Sequence, residues 1–230
     1  MEKKKDPVLF NLLFNIIIPA LVMMKGQKWF HLSPKSALVI SLAFPLIYGL
    51  YDFKKKKKWN LLSIIGIFSI LVTGGVGLLC LSKKWIAIKE AAIPFILGTF
   101  ILLSLKTKKP LINVFLYNEQ IIDVAKVESK LEEFKNHGAF QRLMSQCTWM
   151  LAGSFYLSAI LNYILAKIFI QSETGTQAFT EELGRMTAWS YPVIALPCTI
   201  VLSLALWRLL SGLKKLTHLP IDDLFSSHIA

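Results

Sequence analysis

The chain has 230 residues, of which 54% are hydrophobic and only 17% charged, and its mean hydropathy is +0.54. A soluble domain covers its surface with roughly 25% charged residues, so this composition argues against a single water-soluble globule, and the apolar excess excludes intrinsic disorder. The net charge of +12 would raise nucleic acid as a partner, but the cations cluster beside the ends of apolar stretches, where membrane proteins keep them.

Only α-helices and closed barrels satisfy their backbone in lipid. The apolar stretches here are continuous rather than alternating, so the expected fold is all-α, a polytopic bundle of six transmembrane helices. The spans fall at about 8–24, 37–53, 61–81, 91–105, 148–170 and 191–213. A crossing helix needs roughly 20 apolar residues, and the fourth segment reaches that length only by taking in Trp85, Ile86, Ala87 and Ile88, which brings Lys89 and Glu90 with them. Trp29, Tyr51, Phe53, Trp59, Trp85, Trp149, Trp189 and Tyr191 mark span ends, as amphipathic rings do at headgroup depth. Pro19, Pro45, Pro94 and Pro197 fall inside spans, where each deletes a backbone donor and is expected to kink its helix.

Alternate sides of this layout carry unequal charge. The N-tail, 54–60, 106–147 and the C-tail hold 17 Lys and Arg, and the opposite side holds 7. The positive-inside rule then puts both termini in the cytoplasm. The first span follows Lys3, Lys4 and Lys5 as a signal peptide would, but Leu21-Val22-Met23-Met24-Lys25 lacks the small residues of a cleavage site, so a retained helix is expected.

The long connection 113–147 reads as a cytoplasmic amphipathic linker. Ile121, Val124, Val127, Leu131 and Phe134 recur at helical spacing with Glu and Lys between them. Asn118 is the expected cap and Gly138 the expected stop. Asp123 with Lys126, and Lys130 with Glu133, are neighbours on its polar face, and a second short piece with Phe140, Leu143 and Met144 leads into span five. Such a stripe lies either on the inner membrane surface or against a partner protein.

Polar groups inside spans are costly and draw attention as candidate sites. Asn11 and Asn15 share a face of span one, Asn162 lies mid-span five, and Arg208 lies in the inner half of span six. Interhelical hydrogen bonds account for the asparagines, and snorkelling to the headgroups for Lys167 and Arg208; pairing of Arg208 with Asn162 is the alternative. Lys54, Lys55, Lys56, Lys57 and Lys58, with Lys108 and Lys109, are topology signals and candidate contacts to anionic lipid. Thr73-Gly74-Gly75-Val76-Gly77 reads as a close helix contact rather than a phosphate loop. Cys80, Cys147 and Cys198 form no metal motif, Cys147 is expected as a free thiol, and Cys80 and Cys198 as small hydrophobes rather than a disulfide. His31, His137, His218 and His228 are dispersed. No metal, cofactor or catalytic residue is implied, and Asp52 and Glu90 stand alone on opposite sides.

From Phe53 to Ile112 the order of features resembles the intracellular septation protein A family of bacterial inner-membrane proteins. The matching elements are the basic run after span two, Gly74-Gly75 in span three, Lys89 in the next loop and the string Lys108-Lys109-Pro110-Leu111-Ile112. Pro19 and Lys28 upstream keep the spacing of the family's first span and loop, and Trp149, Asn162 and Arg208 resemble family positions downstream. The linker 113–147 and the tail beyond Lys215 are longer than in typical members, as in a divergent branch. The resemblance implies a non-enzymatic inner-membrane protein with a part in envelope maintenance and division, whose partners are membrane lipids and envelope or division membrane proteins. A small transporter or lipid-handling protein using Asn11, Asn15, Asn162 and Arg208 around a polar cavity is the other reading of the same residues.

Reporter fusions after residues 125 and 225 are expected to read cytoplasmic, and a fusion near residue 178 external. A cytoplasmic reading at 178 would overturn the six-span layout.

Overall fold

A computed structural model describes residues 13–56, 79, 82–107, 110–119 and 121–226, without the side chains of 51–56. The fold is all-helical; the described residues contain no strand, and their one isolated bridge joins Ile122 to Phe225. The helices are α1 (Ile18–Phe30), α2 (Pro34–Lys56), α3 (Lys84–Leu103), α4 (Ile112–Phe115), α5 (Val124–Glu133), α6 (His137–Phe169), α7 (Gln177–Ser190) and α8 (Leu196–Thr217). Three continuous helical stretches are long and apolar enough to cross a membrane: Lys84–Lys106, His137–Phe169 and Gln177–Thr217. At most a third of each apolar window is buried, and large hydrophobic side chains such as Phe95, Phe100, Ile164, Ile168, Ile200 and Leu204 are exposed. In water such surface would be an association hazard; in lipid it is the expected exterior.

Span three and the Gly74-Gly75 contact lie outside the described residues, as does the start of span one. The remaining segments differ from the expected limits in instructive ways. The fourth does take in Trp85–Ile88, and the two charges it must carry meet each other, Lys89 Nζ lying 2.5 Å from Glu90 Oε1. The fifth begins at His137 and absorbs the short amphipathic piece, giving 33 unbroken residues, about 50 Å at 1.5 Å per residue. The expected 171–190 loop is mostly helix, since α7 runs straight on through Tyr191–Ala195 into α8.

Local chemistry explains several boundaries. Ser33 Oγ accepts from the Ser36 amide at 3.1 Å and Pro34 occupies the first position of α2, where its missing N–H costs nothing. α1 ends at His31, whose backbone is left-handed, with amides returning to Gly26 and Gln27 carbonyls. Pro19 and Pro197 do not simply kink their helices. Each follows a π turn, Leu13–Ile17 or Tyr191–Ala195. A proline ring collides with the carbonyl four residues earlier, and those residues, Asn15 and Val193, sit in the widened turns.

The chain divides into two compact units, Met1–Ile93 with Ala159–Ala195, and Pro94–Ser158 with Leu196–Ala230. In the first unit α1 packs between α2 and α7. The α1–α7 contact is closest at Gly184, where an added Cβ would lie 2.8 Å from Met23 Cβ and 2.9 Å from the Ala20 carbonyl oxygen. Phe14 stacks on Tyr48, with ring centroids 6.2 Å apart. The segment between α6 and α7 folds onto Glu182, whose carboxylate accepts the amides of Gln171 and Ser172 and the Ser172 hydroxyl.

The second unit has an extensive core of its own. Ile112, Ile122, Val127, Leu131, Leu209, Leu213 and Leu224 are wholly buried in it, with Cys147 and Ala205. A smaller cluster joins Ile101 of α3 to Leu151 and Ala152 of α6.

Gly184→Ala is expected to destabilise the first unit by about 1–3 kcal/mol, because its methyl meets backbone and a Cβ that rotamer changes cannot move. Gly49→Ala, with nothing within 4 Å of the new methyl, is expected to be neutral or slightly stabilising. Thermal unfolding in detergent measures both.

Candidate functional site

The linker stripe, one candidate binding surface, is occupied by the chain itself. Val127 and Leu131 of α5 are 0% exposed, within a core completed by α8 and Leu224. The central part of the stripe is therefore covered by the chain's own α8, while Phe134 at its end stays 40% exposed. Asp123, not Asn118, caps α5, its side chain accepting the Lys126 amide at 3.1 Å. Asn118 instead donates to the Val114 carbonyl. The helix ends at Phe134, followed by Lys135 in a left-handed conformation, so Gly138 is not the stop; it belongs to α6. Lys130 does meet Glu133, at 2.6 Å, whereas the Lys126 ammonium reaches Asp223 at 3.0 Å. Two side-chain bonds fasten the linker further. Asn136 donates to the Leu216 carbonyl at 2.8 Å, and the Tyr117 hydroxyl to Glu128 at 3.1 Å. Burial and then the Glu128 carboxylate hold the Tyr117 phenol well above its usual range.

Of the intramembrane polar positions, Asn11 lies outside the described residues, as do Lys57, Lys58, Lys108 and Lys109; of Lys54, Lys55 and Lys56 only the helical backbone is described. Asn15 sits in the first π turn and Asn162 on α6, both in the first unit. Lys167 lies over the Tyr163 ring, 5.7 Å from its centroid. Arg208 belongs to the second unit and is engaged there: its guanidinium Nη2 donates to Gln146 Oε1 at 2.7 Å. Its hydrogen-bond partner is Gln146, not Asn162.

Around that bond lies a groove of about 330 Å³ between α6 and α8. Arg142 and Gln146 stand one turn apart on α6; Arg208, Gly212 and Lys215 occupy positions i, i+4 and i+7 on α8. Leu143 presses onto Gly212, where an added Cβ would lie 2.4 Å from Leu143 Cδ2. With no side chain there the two helices approach closely enough for three cations to share one opening. No carboxylate lines it, and among the described residues none of the three cations forms an ion pair. Such crowding of like charge is unfavourable until an anion enters. Arg142, Gln146 and Lys215 drew no attention in the sequence. Their helical spacing was legible, but not which two helices face each other.

A second groove, of about 320 Å³, is apolar and lies in the first unit between α1 and α7, lined by both π turns through Ile16, Ile17, Tyr191 and Pro192. Cys147 and Cys198 are free, Cys80 lies outside the described residues, and Cys198 exchanges hydrogen bonds with Ser154 across α6 and α8. Among the described residues no group of His, Cys, Asp and Glu could hold a metal.

Searches of protein families, of characterised proteins and of solved structures find no match to the chain.

Leu131→Ala is expected to cost about 2–5 kcal/mol as a core cavity, and Asp123→Ala about 1 kcal/mol as a lost cap. Both should raise the rate of proteolytic cleavage within 119–136 in detergent-purified protein. Unchanged cleavage in Leu131→Ala would mean that α5 does not dock on α8.

Proposed function

We propose that the chain is a non-enzymatic, six-span protein of the bacterial inner membrane, with both termini cytoplasmic, that serves envelope maintenance and division by holding lipid and neighbouring membrane proteins. The observation that carries this reading is the basic groove: three cations without a carboxylate, on helices whose outward faces are apolar. That chemistry retains an anion at a membrane surface; it supplies no paired acid and base and no activated nucleophile at the groove. The charge count of 17 against 7 puts the groove, with Arg142 and Lys215, on the cytoplasmic side. The resemblance over Phe53–Ile112 supports the envelope role. The transport reading uses Asn11, Asn15, Asn162 and Arg208 around a polar cavity, whereas the groove at Arg208 is lined by neither Asn15 nor Asn162.

Cells from which the protein has been removed are expected to tolerate hypo-osmotic shock poorly and to misplace septa, with restoration by the intact chain. Normal osmotic tolerance and septum placement without it would overturn the envelope reading.

A further inference from the structure

The groove between α6 and α8 has features beyond positive charge, and together the geometry points to a binding site for the phosphodiester headgroup of an anionic phospholipid, with Arg208 as the central ligand. This deepens the reading above and rests on its placement of the chain in a membrane. The guanidinium of Arg208 is oriented by Gln146 at 2.7 Å, so part of its donor fork is held in place before any ligand arrives. A planar fork fixed in this way suits the two free oxygens of a phosphodiester, which it bonds through parallel N–H groups. Arg142 approaches from the facing helix and Lys215 from two turns further along α8, so charge surrounds the anion from both walls. The floor is Leu143 against Gly212, apolar and without a competing acceptor.

Two tryptophans on the same helices, close in sequence to groove residues, favour a lipid over a free phosphate. Trp207, beside Arg208, and Trp149, three residues after Gln146, are 66% and 60% exposed. Indole rings turned outward from apolar helices mark the headgroup level. Basic pockets between helices on the cytoplasmic side are where acidic headgroups bind. A lipid bound there would place its phosphate in the groove and its acyl chains along the exposed apolar surface of α8, which includes Ile200 and Leu204.

The test uses the full chain purified in a neutral detergent and reconstituted into nanodiscs of phosphatidylcholine with increasing phosphatidylglycerol. Retained lipid is read by native mass spectrometry, and helicity by far-ultraviolet circular dichroism. Phosphatidylglycerol is expected to be retained over phosphatidylcholine, with affinity falling roughly 10-fold in Arg142→Gln/Lys215→Gln. Arg208→Lys keeps the charge but loses the fork, and is expected to stay fully helical while binding several-fold more weakly; it serves alone if the double variant unfolds. Lys106→Gln/Lys135→Gln removes equal charge outside the groove and is expected to bind as the parent does. Three results would each overturn the site: no preference for phosphatidylglycerol, equal loss in the Lys106/Lys135 variant, or full binding in Arg208→Lys. Displacement of the lipid by millimolar inorganic phosphate would reassign the groove to a free anion. Failure in these assays with septation defects still present on removal would retire the lipid site alone; absence of those defects would retire the envelope role alone.

Discussion

Gly212 resting on Leu143 is the contact on which the second unit depends. A side chain at 212 would require Leu143 to move aside, so the bare position lets α6 and α8 meet with Leu143 seated between them. The consequences reach in two directions. On the inside, Leu209 and Leu213 of α8 come close enough to α6 and α5 to bury Val127 and Leu131 completely. On the outside, Arg142 and Arg208 are drawn into one opening. One absent side chain therefore serves both the core and the charge. Gly184 plays a comparable part in the first unit, seating α7 on the backbone of α1 at Ala20. In membrane proteins lipid tails are as apolar as leucine, so close van der Waals packing at such positions carries much of the association.

The prolines illustrate how a rule about local geometry can be met in more than one way. A ring within a helix removes a donor and collides with an earlier carbonyl. Pro45 and Pro94 are accommodated within α2 and α3. Pro19 and Pro197 are accommodated by π turns at Leu13–Ile17 and Tyr191–Ala195, which widen the helix where the collision would fall. The second of these lets α7 and α8 run as one helix of 41 residues, longer than a hydrocarbon core requires.

The linker shows where sequence periodicity stops being informative. The spacing of Val124, Val127 and Leu131 identified a helix with one apolar face, and α5 has that face. Periodicity says nothing of what covers it, because lipid, a partner and the chain's own α8 remove the same area from water. The boundary residues misled for a similar reason. Asn118 and Asp123 are both good caps by residue type, and the choice fell to Asp123, whose amide is also bound by the Leu224 carbonyl, pairing the linker with the C-terminal segment. Gly138 lies in open space within α6, where helix continuity on both sides outweighs its cost.

By itself the sequence determined the all-helical class, the outward apolar character of the long helices, the need for Lys89 and Glu90 to enter the fourth segment together, and the existence of the linker stripe. These follow from composition and from periods of 3.6 residues, which are properties of single segments. Tertiary structure decided that Val127 and Leu131 of the stripe are buried against α8, that Arg208 donates to Gln146, and that Arg142 and Lys215 join it in one groove. Those outcomes depend on which faces meet and how closely. Contacts such as Gly212 on Leu143 are set by distances of a few ångströms, which no one-dimensional pattern of charge and hydropathy encodes.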